Sequence, residues 1–201
     1  MKKLQSLLSI GAFIFVISIV PASAVTIDFE NVPNMYVDYY PTANDYGTNI
    51  GTLFSGVDFG PGATILDSNR SVLYDPINYP PHSGTAVMTT NISGYVKASF
   101  QSAPNEVSLY YSSLTPLELQ AFTSSGIEIT SYLGDPVLGD WGYLRVTSSA
   151  SDIAYVIIHD EGGFFTVDDF TFNVPEPGIL PLLGLALSLI GLVGLRKKFN
   201  G

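Results

Sequence analysis

The chain has 201 residues, enough for one domain or at most two small ones. Eight lysine and arginine residues stand against 18 aspartate and glutamate residues, so the formal net charge is −10. A surface this poor in cations cannot neutralise phosphates, which argues against nucleic acid as a partner. Cysteine is absent, and this excludes disulfides, thiolate nucleophiles and zinc sites with cysteine ligands.

Residues 1–24 have the pattern of a secretory signal peptide. Two lysines precede the apolar stretch 7–20, and small residues follow, ending at Ala24. A signal peptidase cleaves after small residues in this position, so we expect the mature chain to begin at Val25. The alternative is a permanent membrane anchor, which the cleavage site directly after the apolar stretch disfavours.

The C-terminus has the pattern of a membrane-spanning helix. The segment 179–195 contains no charged residue and is followed at once by Arg196, Lys197 and Lys198. At a rise of about 1.5 Å per residue, this helix would be about 26 Å long, just enough for a thin bilayer. A basic cluster stays on the cytoplasmic side, so residues 25–174 are predicted to lie outside.

A short motif, Pro175-Glu176-Pro177, stands directly before the predicted helix. Together with the helix and the basic tail, it resembles the PEP-CTERM sorting signal of proteins exported by Gram-negative bacteria, with the motif at 174–178. The resemblance implies that an exosortase, a membrane-embedded cysteine protease, cuts at or near the motif. The inner-membrane precursor would then pass to the cell surface or the extracellular matrix. Two prolines also keep the segment extended and accessible to a protease.

Residues 25–173, between the two terminal signals, show strand periodicity nearly throughout and no amphipathic helix. Apolar residues alternate with polar ones in five segments, at Ile27 and Phe29; Val96, Ala98 and Phe100; Val107, Leu109 and Tyr111; Leu117, Leu119 and Ala121; and Ile127 and Ile129. The segment 153–158 is apolar on both faces, which predicts a central strand. About eight to ten such strands predict an all-β fold, an antiparallel β-sandwich of the jelly-roll type, with a barrel less favoured.

The second half of the domain, including the segments 141–146 and 165–172, is similar to jelly-roll ectodomains of PEP-CTERM proteins. Those in turn resemble carbohydrate-binding modules of the galactose-binding type. This resemblance supports the fold and names no ligand.

The alternation of the last strand is interrupted at Asp168 and Asp169, where the apolar period changes from two residues to three. Such a change predicts a β-bulge. In the jelly rolls that the domain resembles, Ca²⁺ often joins the first and last strands. The resemblance implies Asp28 or Glu30 with Asp168 or Asp169 as its carboxylate ligands. The alternative is that these acids are solvated residues at strand ends.

A loop rich in tyrosine could bind sugars. Tyr36, Tyr39 and Tyr40 offer flat rings for stacking, and Asp38 could bond hydroxyl groups. The alternative is that these tyrosines pack against the domain.

No pattern for catalysis is present in the sequence. It has no nucleophile elbow, no zinc-binding helix and no phosphate-binding glycine loop, and His82 and His159 are interpreted as structural. We predict a non-enzymatic exported protein associated with extracellular polysaccharide or biofilm. The alternative is a carbohydrate-binding module with a defined glycan ligand, and a hydrolase is disfavoured.

Overall fold

The computed structural model describes residues 23–30, 32, 50–51, 53–60, 62–69, 71, 74–90, 94–162 and 164–174. These residues form eleven strands: β1 (Ser23–Ile27), β2 (Val57–Phe59), β3 (Ala63–Asp67), β4 (Ala86–Thr90), β5 (Tyr95–Phe100), β6 (Glu106–Ser113), β7 (Leu117–Phe122), β8 (Glu128–Gly134), β9 (Val137–Thr147), β10 (Tyr155–Asp160) and β11 (Phe165–Val174). None of the described residues forms a helix long and apolar enough to cross a bilayer. The predicted helix 179–195 and basic tail 196–198 lie outside them.

The strands form two sheets with antiparallel pairing. Sheet A runs in the order β3-β4-β11-β6-β9, with β1 also paired to β11, and sheet B runs β2-β5-β10-β7-β8. From β4 onwards, four strands of sheet A in the order β4-β11-β6-β9 face four of sheet B in the order β5-β10-β7-β8, which is the strand order of a jelly roll. The predicted all-β sandwich is confirmed. The apolar segment 153–158 enters β10, which lies at the centre of sheet B as predicted.

The core lies between the two sheets and follows the predicted alternation. Leu117, Leu119 and Ala121 of β7 are fully buried, whereas the residues between them are partly exposed. Each fully buried large apolar side chain contributes about 1.5–3 kcal/mol. The alternation fails at Ile127, which is 66% exposed because β8 begins only at Glu128, after the turn at Gly126.

The predicted bulge in β11 is confirmed. Its register with β6 shifts between Asp168 and Thr171, and Asp169 has a φ of 46°. Aspartate tolerates this left-handed conformation better than most residues. The extra residue keeps Val167 and Phe170 both directed into the core, each fully buried. The neighbour of β11 on one side also changes here, from β4 before the bulge to β1 after it.

The two ends of the described domain pair with each other. Ser23 lies opposite Val174, and Ala24 lies opposite Asn173. Strand β1 therefore begins two residues before the predicted mature N-terminus at Val25.

Candidate functional site

Carboxylates from both ends of the domain hold residues 82–86, which we call the 82–86 loop. Glu30 Oε1 accepts hydrogen bonds from the backbone N–H groups of Thr85 at 2.6 Å and Ala86 at 2.7 Å. Gly84 has a φ of 56°, and a Cβ there would collide with the Glu30 carboxylate. Glycine suits this position, because a side chain would adopt an unfavourable left-handed conformation and displace the Glu30 carboxylate from its hydrogen bonds.

The bulge directs the other two carboxylates to the start of the same loop. Asp168 Oδ2 accepts the backbone N–H of Ser83 at 2.7 Å. Asp169 Oδ1 accepts the Ser83 hydroxyl at 2.9 Å, and its Oδ2 lies 2.5 Å from His82 Nδ1. The bulge therefore fixes the position of His82, which is 87 residues away in sequence.

The structure brings three of the four predicted calcium ligands, Glu30, Asp168 and Asp169, to this one loop. The fourth, Asp28, is exposed and accepts the backbone N–H of Glu30 at 3.1 Å. Protein donors occupy the carboxylates, and the part of the chain that the structure describes holds no group of three or more acidic or histidine side chains placed to bind a metal. The four acids thus do not form one ligand set, and calcium at this edge stays a prediction.

Beside the 82–86 loop, aromatic rings line a pocket on the outer face of sheet A, which we call the aromatic pocket. Tyr110 of β6 lies opposite Tyr143 of β9, with ring centroids 5.1 Å apart. The His82 ring stacks flat on Tyr110 at 3.5 Å, and Trp141 meets His82 edge-on at 5.0 Å. The pocket is a shallow, open depression lined by Pro80, His82, Tyr110, Tyr111, Ser112, Trp141, Thr166 and Asp168, and Tyr143 adjoins it through Tyr110.

Two hydrogen bonds connect the segment before the 82–86 loop to the start of β9 and stabilise the position of this segment beside the pocket. Trp141 Nε1–H donates to the Pro81 carbonyl at 3.1 Å, and the Gly139 N–H donates to the Asn78 carbonyl at 2.8 Å. Trp141 and Tyr143 alternate with the buried Leu144 along β9, so both rings point outward, and they are 45% and 50% exposed. Both rings therefore expose surface to solvent on this face of the sheet.

A buried carboxyl group lies at the base of the aromatic pocket. Asp168 is only 3% exposed, and this burial raises its pKa to about 6. The charge of Asp169 adds to the rise, whereas hydrogen bonds from the backbone N–H groups of Ser83, Asp169 and His82 oppose it. Burial, followed by the charge of Asp168, also raises the pKa of the nearby Tyr74 hydroxyl. Apart from one proline, the residues that line the pocket are aromatic or polar, and none of them is a lysine or an arginine.

A second open surface is the outer face of sheet B. Phe122 of β7 stacks on Tyr155 of β10 with ring centroids 5.0 Å apart, and Lys97 Nζ lies 4.0 Å from the centre of the Tyr155 ring. On the same face, His159 Nε2 lies 3.2 Å from Glu118 Oε2. We call this surface the sheet B face.

Comparison with known proteins identifies the C-terminal segment. Residues 173–198 match the family model described as the PEP-CTERM protein-sorting motif. The chain carries a PEP-CTERM sorting motif. The motif indicates an exported protein that an exosortase sorts, and it confirms the resemblance assigned to Pro175, Glu176 and Pro177. Among curated proteins, none is similar to the chain in sequence.

Several solved structures are similar to parts of the chain. The K2 cleaved adhesin domain of Lys-gingipain is 12% identical, over 76% of this chain and 100% of that domain, with a TM-score of 0.49. A family 29 carbohydrate-binding module variant complexed with mannohexaose is 11% identical, over 77% and 93%, with a TM-score of 0.42. The xylan-binding domain of Xyn10C from Paenibacillus barcinonensis is 11% identical, over 61% and 88%, with a TM-score of 0.37. Each TM-score is below 0.5, so the jelly-roll assignment rests on the strand order.

The site predicted from sequence and the pocket seen in the structure differ. The predicted ligand residues Tyr36, Asp38, Tyr39 and Tyr40 lie outside the described residues. The sequence did not predict a binding site at Trp141 and Tyr143. Their spacing of two residues does place both rings on one face of a strand, and this is the only sequence pattern that points to the pocket.

Proposed function

We propose that the chain is a non-enzymatic protein of a Gram-negative bacterium that an exosortase delivers to the cell surface, where it binds extracellular polysaccharide. The single observation that carries the binding proposal is the aromatic pocket. The exposed rings of Trp141 and Tyr143 suit stacking on the apolar faces of sugars. His82, which lines the pocket and whose side chain is partly exposed, suits a hydrogen bond to a sugar hydroxyl group.

Charge favours a neutral glycan as the ligand. Residues 25–174 hold 17 acidic residues against three basic ones, a balance of −14. Such a domain repels acidic polysaccharides unless a divalent cation bridges the two. Stacking and hydroxyl contacts depend little on salt, so binding to a neutral glycan should persist in sodium chloride.

The hydrogen bonds around His82 support a binding role rather than catalysis. His82 and the Ser83 hydroxyl both contact Asp169, on different oxygens. A nucleophilic serine would instead donate to the histidine. This arrangement fixes the His82 ring against Tyr110 and builds the pocket.

The sorting proposal predicts a processed protein at the cell surface. Signal peptidase and exosortase cleavage together should leave a chain that begins at Val25 and ends near 174–178, measured as intact mass. Replacing the motif 175–177 with alanines should trap the precursor in the inner membrane. A surface protein that still contains residues 179–201 would contradict the proposal.

The binding proposal has a specific reporter, because Trp141 is the only tryptophan of the chain. Titration with short neutral oligosaccharides should shift Trp141 fluorescence, with a Kd on the order of 10⁻⁴–10⁻³ M because a shallow site immobilises few ligand atoms. Tyr143→Ala should weaken this binding about tenfold, or about 1.4 kcal/mol. The control Phe164→Ala removes an aromatic ring that is 67% exposed in the β10–β11 loop and should change nothing. If no neutral oligosaccharide shifts the fluorescence, the pocket is not the binding site.

A further inference from the structure

We propose that removal of the signal peptide frees the end of β11 beside the sorting motif, so that the exosortase acts only on chains that signal peptidase has already cleaved. The pairing of β1 with β11 carries this proposal, because it joins the predicted signal-peptide cleavage site to the residues that precede the motif. It rests on the two cleavages of the proposed function and adds that the first is required for the second.

The last two residues of β11 are paired on one side only. On the side of β6, the pairing of β11 extends to Phe172. On the side of β1 it extends two residues further, because Asn173 lies opposite Ala24 and Val174 lies opposite Ser23. Within the described part of the chain, Ser23 and Ala24 are therefore the only strand partners of this end of β11.

Signal peptidase removes both of these partners. Hydrolysis of the Ala24–Val25 bond consumes one water and leaves a carboxylate on Ala24 and an ammonium group on Val25. The mature chain then keeps the three pairs from Val25 to Ile27, which lie opposite Phe172 to Phe170, and loses the two pairs beyond them. Strand β11 is thereby shortened so that it ends at Phe172.

This loss does not open the sandwich. The two removed residues are exposed, whereas Ile27 is buried and Val25 packs against the core, so the rest of β1 stays in place. Asn173 keeps one exposed side-chain hydrogen bond, which its Nδ2 group donates to Asn105 Oδ1 at 2.8 Å. The backbone that is released is therefore limited to residues 173–174.

The released residues lie where a protease binds its substrate. Pro175 follows Val174 directly, so a cut in the motif has residues 173 and 174 close on its N-terminal side. A protease binds its substrate in an extended form through backbone N–H and C=O groups, and a backbone already paired in a sheet does not offer them. Two unpaired residues also add about 7 Å of extended chain between the paired part of β11 and the motif.

The same pairing limits when the first cleavage can occur. The Ala24–Val25 bond lies inside β1, so it is open to signal peptidase only before β1 pairs with β11. A chain that folds with its signal peptide attached keeps Ser23 and Ala24 on β11, and its motif stays closed to the exosortase. Such a chain remains in the inner membrane, so only chains with a correctly processed N-terminus reach the surface.

The test uses the full chain in a Gram-negative strain that carries an exosortase, with both ends of the product determined by intact mass. In the paired variant, Ala22→Tyr with Ala24→Tyr places bulky side chains where signal peptidase needs small ones, and tyrosine is well suited to a strand. The linker variant adds Gly-Ser-Gly-Ser between Val174 and Pro175 of the paired variant, which lengthens the chain by about 13 Å.

The unpaired variant is Ser23→Pro with Ala24→Pro, which also blocks signal peptidase because proline replaces the small residue before the cut. Successive N–H groups of a strand point to opposite sides, so the two prolines together remove one donor that faces β11. The unmodified chain with the same Gly-Ser-Gly-Ser insertion is the control for the effect of the insertion on the exosortase. Circular dichroism verifies that each variant is folded.

Cleavage at the motif is followed after a pulse of radioactive label. We expect it to be at least tenfold slower in the paired variant than in the unmodified chain. It should return to within twofold of the unmodified rate in the linker variant and in the unpaired variant. Both of these still carry the signal peptide, so their recovery would assign the block to the pairing of β1 with β11. The insertion alone should leave the rate unchanged.

Three outcomes would overturn the proposal, and they separate it from the sorting proposal. If the paired variant is cut at the unmodified rate, the pairing does not control the second cleavage, and the sorting proposal stands. If the paired, linker and unpaired variants all stay uncut, the retained signal peptide itself is the cause, and the sorting proposal again stands. If the unmodified chain is not cut at the motif, the sorting proposal fails and the order of cleavages fails with it.

Discussion

Glu30→Ala should lower the free energy of unfolding by about 3 kcal/mol, because it leaves the backbone N–H groups of Thr85 and Ala86 without their acceptor. Both bonds end on one carboxylate oxygen, and Ala86 is fully buried, so water cannot replace the lost partner. A buried donor without an acceptor costs about 1–3 kcal/mol. For a domain of this size the melting temperature should fall by about 6–12 °C.

Glu30→Gln is the matched control. The amide keeps a carbonyl oxygen in the place of Oε1, and its NH₂ group can donate to the Thr85 hydroxyl, which lies 3.4 Å from Oε2. We expect a loss of no more than about 1 kcal/mol. If Gln and Ala destabilise the protein equally, the two amide bonds are not the cause. Thermal melts of the same two proteins, with and without added calcium, test the predicted calcium site. If calcium binds the Glu30 carboxylate, it should raise the melting temperature of the unmodified protein by about 5–10 °C and that of Glu30→Gln by less.

Asp168 should make the protein less stable as pH rises from 4 to 7. Its pKa is raised to about 6 in the folded state from an ordinary value of 3.8, so the folded protein holds this proton more tightly than the unfolded chain does. The stabilisation is complete below about pH 4 and is lost as pH rises through 6. The loss amounts to about 2–3 kcal/mol.

Asp168→Asn isolates this contribution because the amide does not titrate in this range. Urea unfolding of both proteins at pH 4, 5, 6 and 7 gives the difference in free energy of unfolding at each pH. The unmodified protein should lose about 2–3 kcal/mol relative to Asp168→Asn across the range. Parallel profiles would show that the buried carboxyl of Asp168 is not responsible.

Much of the fold could be predicted from the sequence because it depends on local alternation. The period of two identified β5, β6 and β7, and the break at Asp168 and Asp169 identified the bulge before any strand pairing was known. Strands β2 to β4 have only three to five residues each, too few for an alternating pattern to be recognised. The exposed position of Ile127 shows the same limit, since two apolar residues at one spacing do not determine where a strand begins.

The aromatic pocket could not be predicted in the same way because it depends on long-range register. His82 reaches Tyr110 and Asp169 only after β4, β6 and β11 have paired. Alternation shows that Trp141 and Tyr143 share one face of a strand, but not which loop lies above that face. The sorting motif, by contrast, is read from contiguous residues, and the sequence alone was sufficient to find it.

The strand that leads into the sorting motif lies in the interior of sheet A. Strand β11 pairs with β6 on one side and with β4 and β1 on the other. A pull on the chain beyond Val174 therefore loads this strand along its length, and hydrogen bonds on both sides share the force. An edge strand pulled from its end would instead peel away one bond at a time. If the domain is held through this end, its lifetime under tension depends on the rate of forced unfolding rather than on equilibrium stability.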